Sequence, residues 1–154
     1  MTKTFDRRDF LRLTGAAAAL AAAGCATTTP KARVVVIGGG FGGATAAKYI
    51  RMWDPSIEVV LVERADSFIS CPLSNLVLAG YKNMGDITHR HDGLQRYGVQ
   101  VVRDEATAVD AAKRVVRLER GGDLAYDRLI VAPGIDFMLN ELPAYQSAMS
   151  AGRV

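Results

Sequence analysis

The run Gly38-Gly39-Gly40-Phe41-Gly42-Gly43 holds a G-x-G-x-x-G spacing at Gly38, Gly40 and Gly43. Each spaced glycine answers a separate physical demand. Gly38 permits a tight turn out of a strand, Gly40 lets a pyrophosphate approach backbone that carries no Cβ, and Gly43 lets a following helix lie close on the sheet. The first N–H groups of that helix have no intrahelical acceptor and the helix dipole favours negative charge there, so the chemistry on offer is anion binding. Twenty residues beyond Gly43, Glu63 closes a second apolar run. A carboxylate at that place can accept hydrogen bonds from the ribose hydroxyls of an adenine dinucleotide. Cys71 is the other reactive group: as a thiolate it is a nucleophile, and otherwise it is a small buried hydrophobe.

The elements that must position these residues are legible around them. Arg33–Ile37 is rich in β-branched residues and reads as a buried strand running into the glycines. Gly42–Trp53 reads as a helix with Ala44, Ala47, Ile50 and Met52 available for packing, stopped by Asp54-Pro55. Ile57–Val62 closes a βαβ unit, which implies parallel strands. Residues 64–84 read as a long connection, 86–97 as a helix ended by Gly98, and Val99–Val102 as a third strand. Three short segments, Ala106–Val109, Arg114–Leu118 and Leu124–Tyr126, are separated by Asp110 and Gly121-Gly122 and predict an antiparallel meander. Arg128–Val131 is a last apolar strand ending at Ala132-Pro133-Gly134. The expected fold is a Rossmann-like α/β domain of three layers, incomplete within these residues.

The chain has 154 residues, a formal net charge of +3 and 23% charged residues, which suits one globular domain. Residues 1–30 hold Lys3, Arg7, Arg8 and Arg12 against Asp6 and Asp9, so part of the basic excess belongs to the N-terminus. No basic stripe interleaved with aromatics follows, which argues against nucleic-acid binding. Asp6-Arg7-Arg8-Asp9-Phe10-Leu11-Arg12 precedes an apolar run, Leu13–Ala23, too short to span a bilayer. The arginine pair followed by x-Phe-Leu resembles a twin-arginine export motif, which implies the twin-arginine translocase as a transient partner and a periplasmic destination. Residues 1–26 are expected to be this signal, 27–32 a linker and 33–154 the N-terminal part of an FAD/NAD(P)-binding domain. Cleavage between Ala23 and Ala26 is one reading; acylation of Cys25 as a lipoprotein is another.

The glycine turn opening the body, the meander, and Tyr126-Asp127-Arg128-Leu129-Ile130-Val131-Ala132-Pro133-Gly134 together resemble the FAD domain of the pyridine nucleotide–disulfide oxidoreductase family. That resemblance implies FAD as cofactor, backbone contact with adenine around Ala106, and passage of Ala132-Pro133-Gly134 near the dinucleotide. Within it, Asp54-Pro55-Ser56-Ile57-Glu58-Val59, Cys71-Pro72-Leu73-Ser74-Asn75-Leu76-Val77 and Asp92-Gly93-Leu94 look like the flavoprotein subunits of flavocytochrome c sulfide dehydrogenases. The likeness runs from about Arg33 to Tyr145. It implies a thioether from Cys71 to the flavin 8α carbon, inorganic sulfide as substrate and a cytochrome c subunit as partner. Arg64, beside Glu63, stands where relatives often carry proline and bears on the ribose contacts.

The resemblance places the redox-active cysteine pair and the second nucleotide domain far downstream, so no catalytic residue is expected here. The chain is expected to be part of a longer protein and inactive alone, with an unpaired sheet edge where later strands would add. A sulfide:quinone or NADH-type FAD oxidoreductase, and an inactive nucleotide-binding module, are the alternative readings. His89 and His91 stand two apart on the expected helix and so face different ways, which favours surface or capping roles and no metal site. Arg114, Arg117, Arg120 and Arg128 read as a solvated face, and Tyr49 and Trp53 as core.

Overall fold

The computed structural model describes residues 29–135, 138, 141 and 143–152. The proposed signal, including Arg7, Arg8 and Cys25, lies outside the described residues. Among the described residues the elements are, in chain order, β1 (Ala32–Ile37), α1 (Phe41–Trp53), β2 (Ile57–Val62), β3 (Ser67–Ile69), α2 (Ser74–Leu78), α3 (Met84–Ile87), β4 (Thr88–Arg90), α4 (Asp92–Gln95), β5 (Val99–Val102), β6 (Ala106–Asp110), β7 (Val115–Leu118), β8 (Asp123–Ala125), β9 (Arg128–Val131) and α5 (Pro143–Ser150).

Alternation along β1 and β2 creates the layers. Val34, Val36, Val59 and Leu61 point to one side and pack with Ala47 of α1 and Val99 of β5. Val35, Val60 and Val62 point to the other side and pack with Val116 and Leu118 of β7. A strand buried on both faces must be apolar at every buried position, which is why residues 34–37 and 59–62 are unbroken apolar runs. Near the strand starts, Arg33 and Glu58 pair with each other at 2.7 Å. The parallel sheet has the order β5-β2-β1-β9 and stands between α1 with α4 on one face and an antiparallel meander, β6-β7-β8, on the other. This is the expected three-layer α/β arrangement.

On α1, Gly43 and Ala47 are buried and Ile50 packs beside them. At 100° per residue these three lie within one narrow stripe; Met52 falls on the far side, and Tyr49 and Trp53 lie off the stripe's edge. Those three are exposed, Trp53 at 79%, so the expectation of core roles for Tyr49 and Trp53, and of packing by Met52, is corrected. The helix stops where Asp54 turns extended and accepts the Ser56 N–H at 3.0 Å.

Residues 86–97 do not form one helix. A capping box between Asn83 and Asp86 starts α3, which lasts one turn. Thr88–Arg90 then pairs antiparallel with Ser67–Ile69, and a second single turn, α4, precedes Gly98 at φ 78°. Pairing with β3, which lies in the expected connection, outweighs local helix preference. His89 therefore sits on a strand and His91 at the entry to α4.

Candidate functional site

Because β1, β2, β5 and β9 are mutually parallel, their C-terminal ends meet at one edge. The chain leaves β1 for β2 on one side and returns as β9 on the other, so a crevice opens beyond the end of β1, where α/β sheets bind ligands. Backbone bonds join these ends: Gly38 N–H donates to Val62 O at 2.9 Å, Glu63 N–H to Val102 O at 3.0 Å, and Ala132 N–H to Ile37 O at 2.8 Å. The cleft there has a volume of about 270 Å³. Gly38, Glu63, Arg64, Ala106, Pro133 and Gly134 all line it.

The glycines at this edge meet different demands. Gly38 has φ 95°, and a Cβ on it would strike the Ala132 carbonyl. A Cβ on Gly43 would strike the Gly38 carbonyl oxygen and stand 3.2 Å from Val36 Cγ1. These two are required by the fold. Gly40 is not: it has φ −67°, an ordinary conformation, and a Cβ there would meet nothing within 4 Å. Gly42 likewise has only Ala132 Cβ at 3.9 Å. The 13-residue helix α1 starts beside Gly40 with no side-chain cap and no acidic residue in its first turn. Open space over a glycine, next to an uncapped helix N-terminus, is the cradle that the pyrophosphate of FAD would fill. The residues present fit the group.

Glu63 faces the turn. Its Oε2 accepts the Gly39 N–H at 2.6 Å and its Oε1 accepts the Ala65 N–H at 2.8 Å. Each carboxylate oxygen has a further lone pair to offer a ribose hydroxyl. Arg64 lies 3.8 Å from the Glu105 carboxylate across the cleft mouth. Ala106 begins β6 at an irregular register against β7.

Phe41, the first residue of α1, stacks edge-on against Phe68 at 5.5 Å between ring centroids. Cys71 is three residues beyond Phe68, an exposed free thiol on the turn between β3 and α2. Its neighbours are fixed: Ser70 is buried and donates its N–H to Ile87 O at 2.7 Å, and Leu73 takes a left-handed conformation at φ 73°. Exposure corrects the alternative of a buried structural cysteine. Cys71 does not line the cleft beside Glu63; the Phe41–Phe68 contact links its segment to the glycine turn.

Two further residues belong to the site although no motif points to them. Asp104 lines the cleft and is buried, 3% exposed. Burial alone would push its carboxyl up, but the N–H groups of Glu105, Gly121 and Arg120 and the Arg120 guanidinium outweigh that and hold it below the ordinary carboxylate range. It thereby pins the Gly121 turn of the meander to the end of β5, with Gly121 N–H at 2.7 Å. His91 is 2% exposed, and its Nε2 stands 2.6 Å from the Gly39 carbonyl oxygen. The expected surface or capping role for His91 is therefore corrected. Neither residue has a local sequence signal, because the partners that matter lie far along the chain, Gly121 for Asp104 and Gly39 for His91. Among the described residues no group of three or more His, Cys, Asp or Glu is placed to hold a metal.

The sequence profile of the family described as pyridine nucleotide-disulphide oxidoreductase matches residues 32–151. The flavoprotein chain of sulfide dehydrogenase [flavocytochrome c] from Chlorobaculum thiosulfatiphilum is 64% identical over 37 residues, which are 24% of this chain and 77% of that relative. Among solved structures, the sulfide:quinone oxidoreductase of Aquifex aeolicus superposes with a TM-score of 0.65 at 22% identity, over 77% of this chain and 32% of that one. A NAD-dependent persulfide reductase from A. fulgidus gives 0.58 at 28% identity, over 66% of this chain and 21% of that one. The chain thus spans about a third, or less, of the length of these solved structures.

Proposed function

The chain belongs to the pyridine nucleotide-disulphide oxidoreductase family and its cofactor is FAD, and from that membership we propose that it is the flavin-holding part of an exported sulfide dehydrogenase that delivers electrons to a cytochrome c subunit. The observation that carries the reading is a glycine turn held by the Glu63 carboxylate through the Gly39 N–H, with an unobstructed Gly40 and an uncapped α1 directly after it. Support for the sulfide class comes from the 64% identity with a sulfide dehydrogenase flavoprotein chain, and support for export from Arg7-Arg8 and the apolar run after them.

In this reading Gly38–Gly43 and the start of α1 hold the pyrophosphate, with Phe41 walling one side against Phe68. Glu63 orients the ribose, Arg64 and Glu105 border it, and the backbone near Ala106 meets the adenine. Ala132, Pro133 and Gly134 close the cleft from the β9 side. The exposed thiol of Cys71 is the attachment point for the flavin ring. FAD supplies the capacity to take an electron pair and release it one electron at a time; the residues here bind it, orient it and keep it from dissociating.

The test is direct. The intact protein, denatured and run on a gel, should fluoresce as a flavin-bearing band, and Cys71→Ser should abolish the band while leaving FAD extractable. Sulfide-dependent reduction of a cytochrome c by that protein should accompany it. Freely extractable FAD in the unsubstituted protein overturns the covalent link, and electron delivery to a quinone or from NADH in place of cytochrome c overturns the proposed class.

A further inference from the structure

We infer that His91 is a positioning residue that aims the Gly40 N–H at the dinucleotide pyrophosphate. This role rests on the dinucleotide reading of the cleft, and neither the glycine motif nor the acid at the end of β2 contains it.

Arg103 sets the tautomer of the histidine. Its Nη1 lies 3.1 Å from His91 Nδ1, and the same guanidinium is held by the Ala65 carbonyl and by Asp66 O at 3.1 Å. A guanidinium can only donate, so His91 Nδ1 accepts and the ring proton resides on Nε2. That N–H donates to the Gly39 carbonyl oxygen at 2.6 Å. The imidazole is buried, with the Phe68 ring 5.6 Å away, so water does not compete for the bond.

The Gly39 N–H is meanwhile held by Glu63 Oε2 at 2.6 Å. Both peptide planes flanking Gly39 are therefore fixed, one by the carboxylate and one by the imidazole. In a trans peptide the carbonyl and the following N–H point in opposite directions, and the chain has no cis bond among its described residues. Drawing the Gly39 carbonyl inward onto His91 turns the Gly40 N–H outward, beside a residue whose Cβ would meet nothing within 4 Å. The same geometry accounts for Gly39, which the G-x-G-x-x-G spacing leaves unspecified: a Cβ there would drive into the His91 ring.

The experiment uses the full chain carrying Cys71→Ser, so that no flavin is retained through that sulfur, and titrates it with FAD, ADP and adenosine by NMR. Replacing His91 by Phe removes the donor and keeps the bulk. His91→Asn, too short to reach Gly39, is the second loss variant should His91→Phe not fold, and His91→Gln returns an amide N–H near the Nε2 position. The expected result is ADP affinity about tenfold weaker in His91→Phe or His91→Asn, the loss of about one well-made hydrogen bond. Adenosine affinity should be unchanged, His91→Gln should recover most of the loss, and the Gly40 amide shift induced by ADP should shrink in the loss variants. ADP and adenosine weakening together would reveal general damage and overturn the inference, as would loss variants that bind ADP like the parent. A parent that binds neither FAD nor ADP sinks the dinucleotide reading itself; a parent that binds both beside unaltered His91 variants sinks only the role of His91.

Discussion

Gly40 and Gly43 belong to one motif yet are glycines for opposite reasons, and substitution separates them. A Cβ at Gly40 enters open space, so Gly40→Ala should melt within about 1 kcal/mol of the parent while FAD affinity falls by about tenfold or more, because only the ligand needs that space. A Cβ at Gly43 collides with the Gly38 carbonyl, so Gly43→Ala should cost stability itself, about 2 kcal/mol or more from overpacking. Chemical denaturation and flavin titration of both variants, each carrying Cys71→Ser, check the pair; equal loss of stability would refute the distinction. Asp104 gives a second residue-scale prediction. Its folded carboxyl lies below the ordinary range, so its stabilising contribution is complete above the unfolded carboxylate value, about pH 4, and is lost as pH falls through the lower folded value. Thermal unfolding followed from about pH 6 to about pH 2 should steepen for the parent and flatten for Asp104→Asn.

At the scale of elements, the central strands are the part of the fold that cannot be diluted. Leu61 is fully buried between α1 and the neighbouring strands, so Leu61→Ala should destabilise by about 3 kcal/mol, measured by denaturant midpoint at unchanged slope. On α1 the buried stripe is only three residues wide, and Trp53→Ala should change stability by less than about 1 kcal/mol, since that ring is 79% exposed. The boundaries of β1, α1, β2, β5 and β9 are readable in the sequence because each carries a strong periodic or β-branched signal and has a glycine or proline close to one end, Pro55 before β2 and Gly98 before β5 among them. Residues 86–97 are not. Their local preference is helical, but the bonds that decide their shape go to Ser67–Ile69, a partner some twenty positions earlier that no window of sequence contains.

For the molecule as a whole, the consequence of the proposed reading is an export route as well as a cofactor. Arg7→Lys together with Arg8→Lys should retain the protein in the cytoplasm, seen as a shift between cell fractions, with flavin content intact if the cofactor is inserted before export. An exported fraction equal to that of the parent would refute the twin-arginine reading. The parallel sheet presents β9 as an edge strand among the described residues, and Val131 on it is 61% exposed. The chain spans 32% of the Aquifex aeolicus structure it superposes on.

The sequence by itself determined where the glycine turn and its acid stand: glycine spacing, a strand before it, a helix after it and Glu63 beyond are local constraints, and each has a single physical cause written within a few residues. It also determined the three layers, because doubly buried strands must be apolar at every buried position. Only the tertiary structure decided why Gly39 is glycine, which side of α1 is buried, and that His91 and Asp104 belong to the site. Those answers depend on groups brought together from distant positions, and a distance in space leaves no period or spacing in the chain.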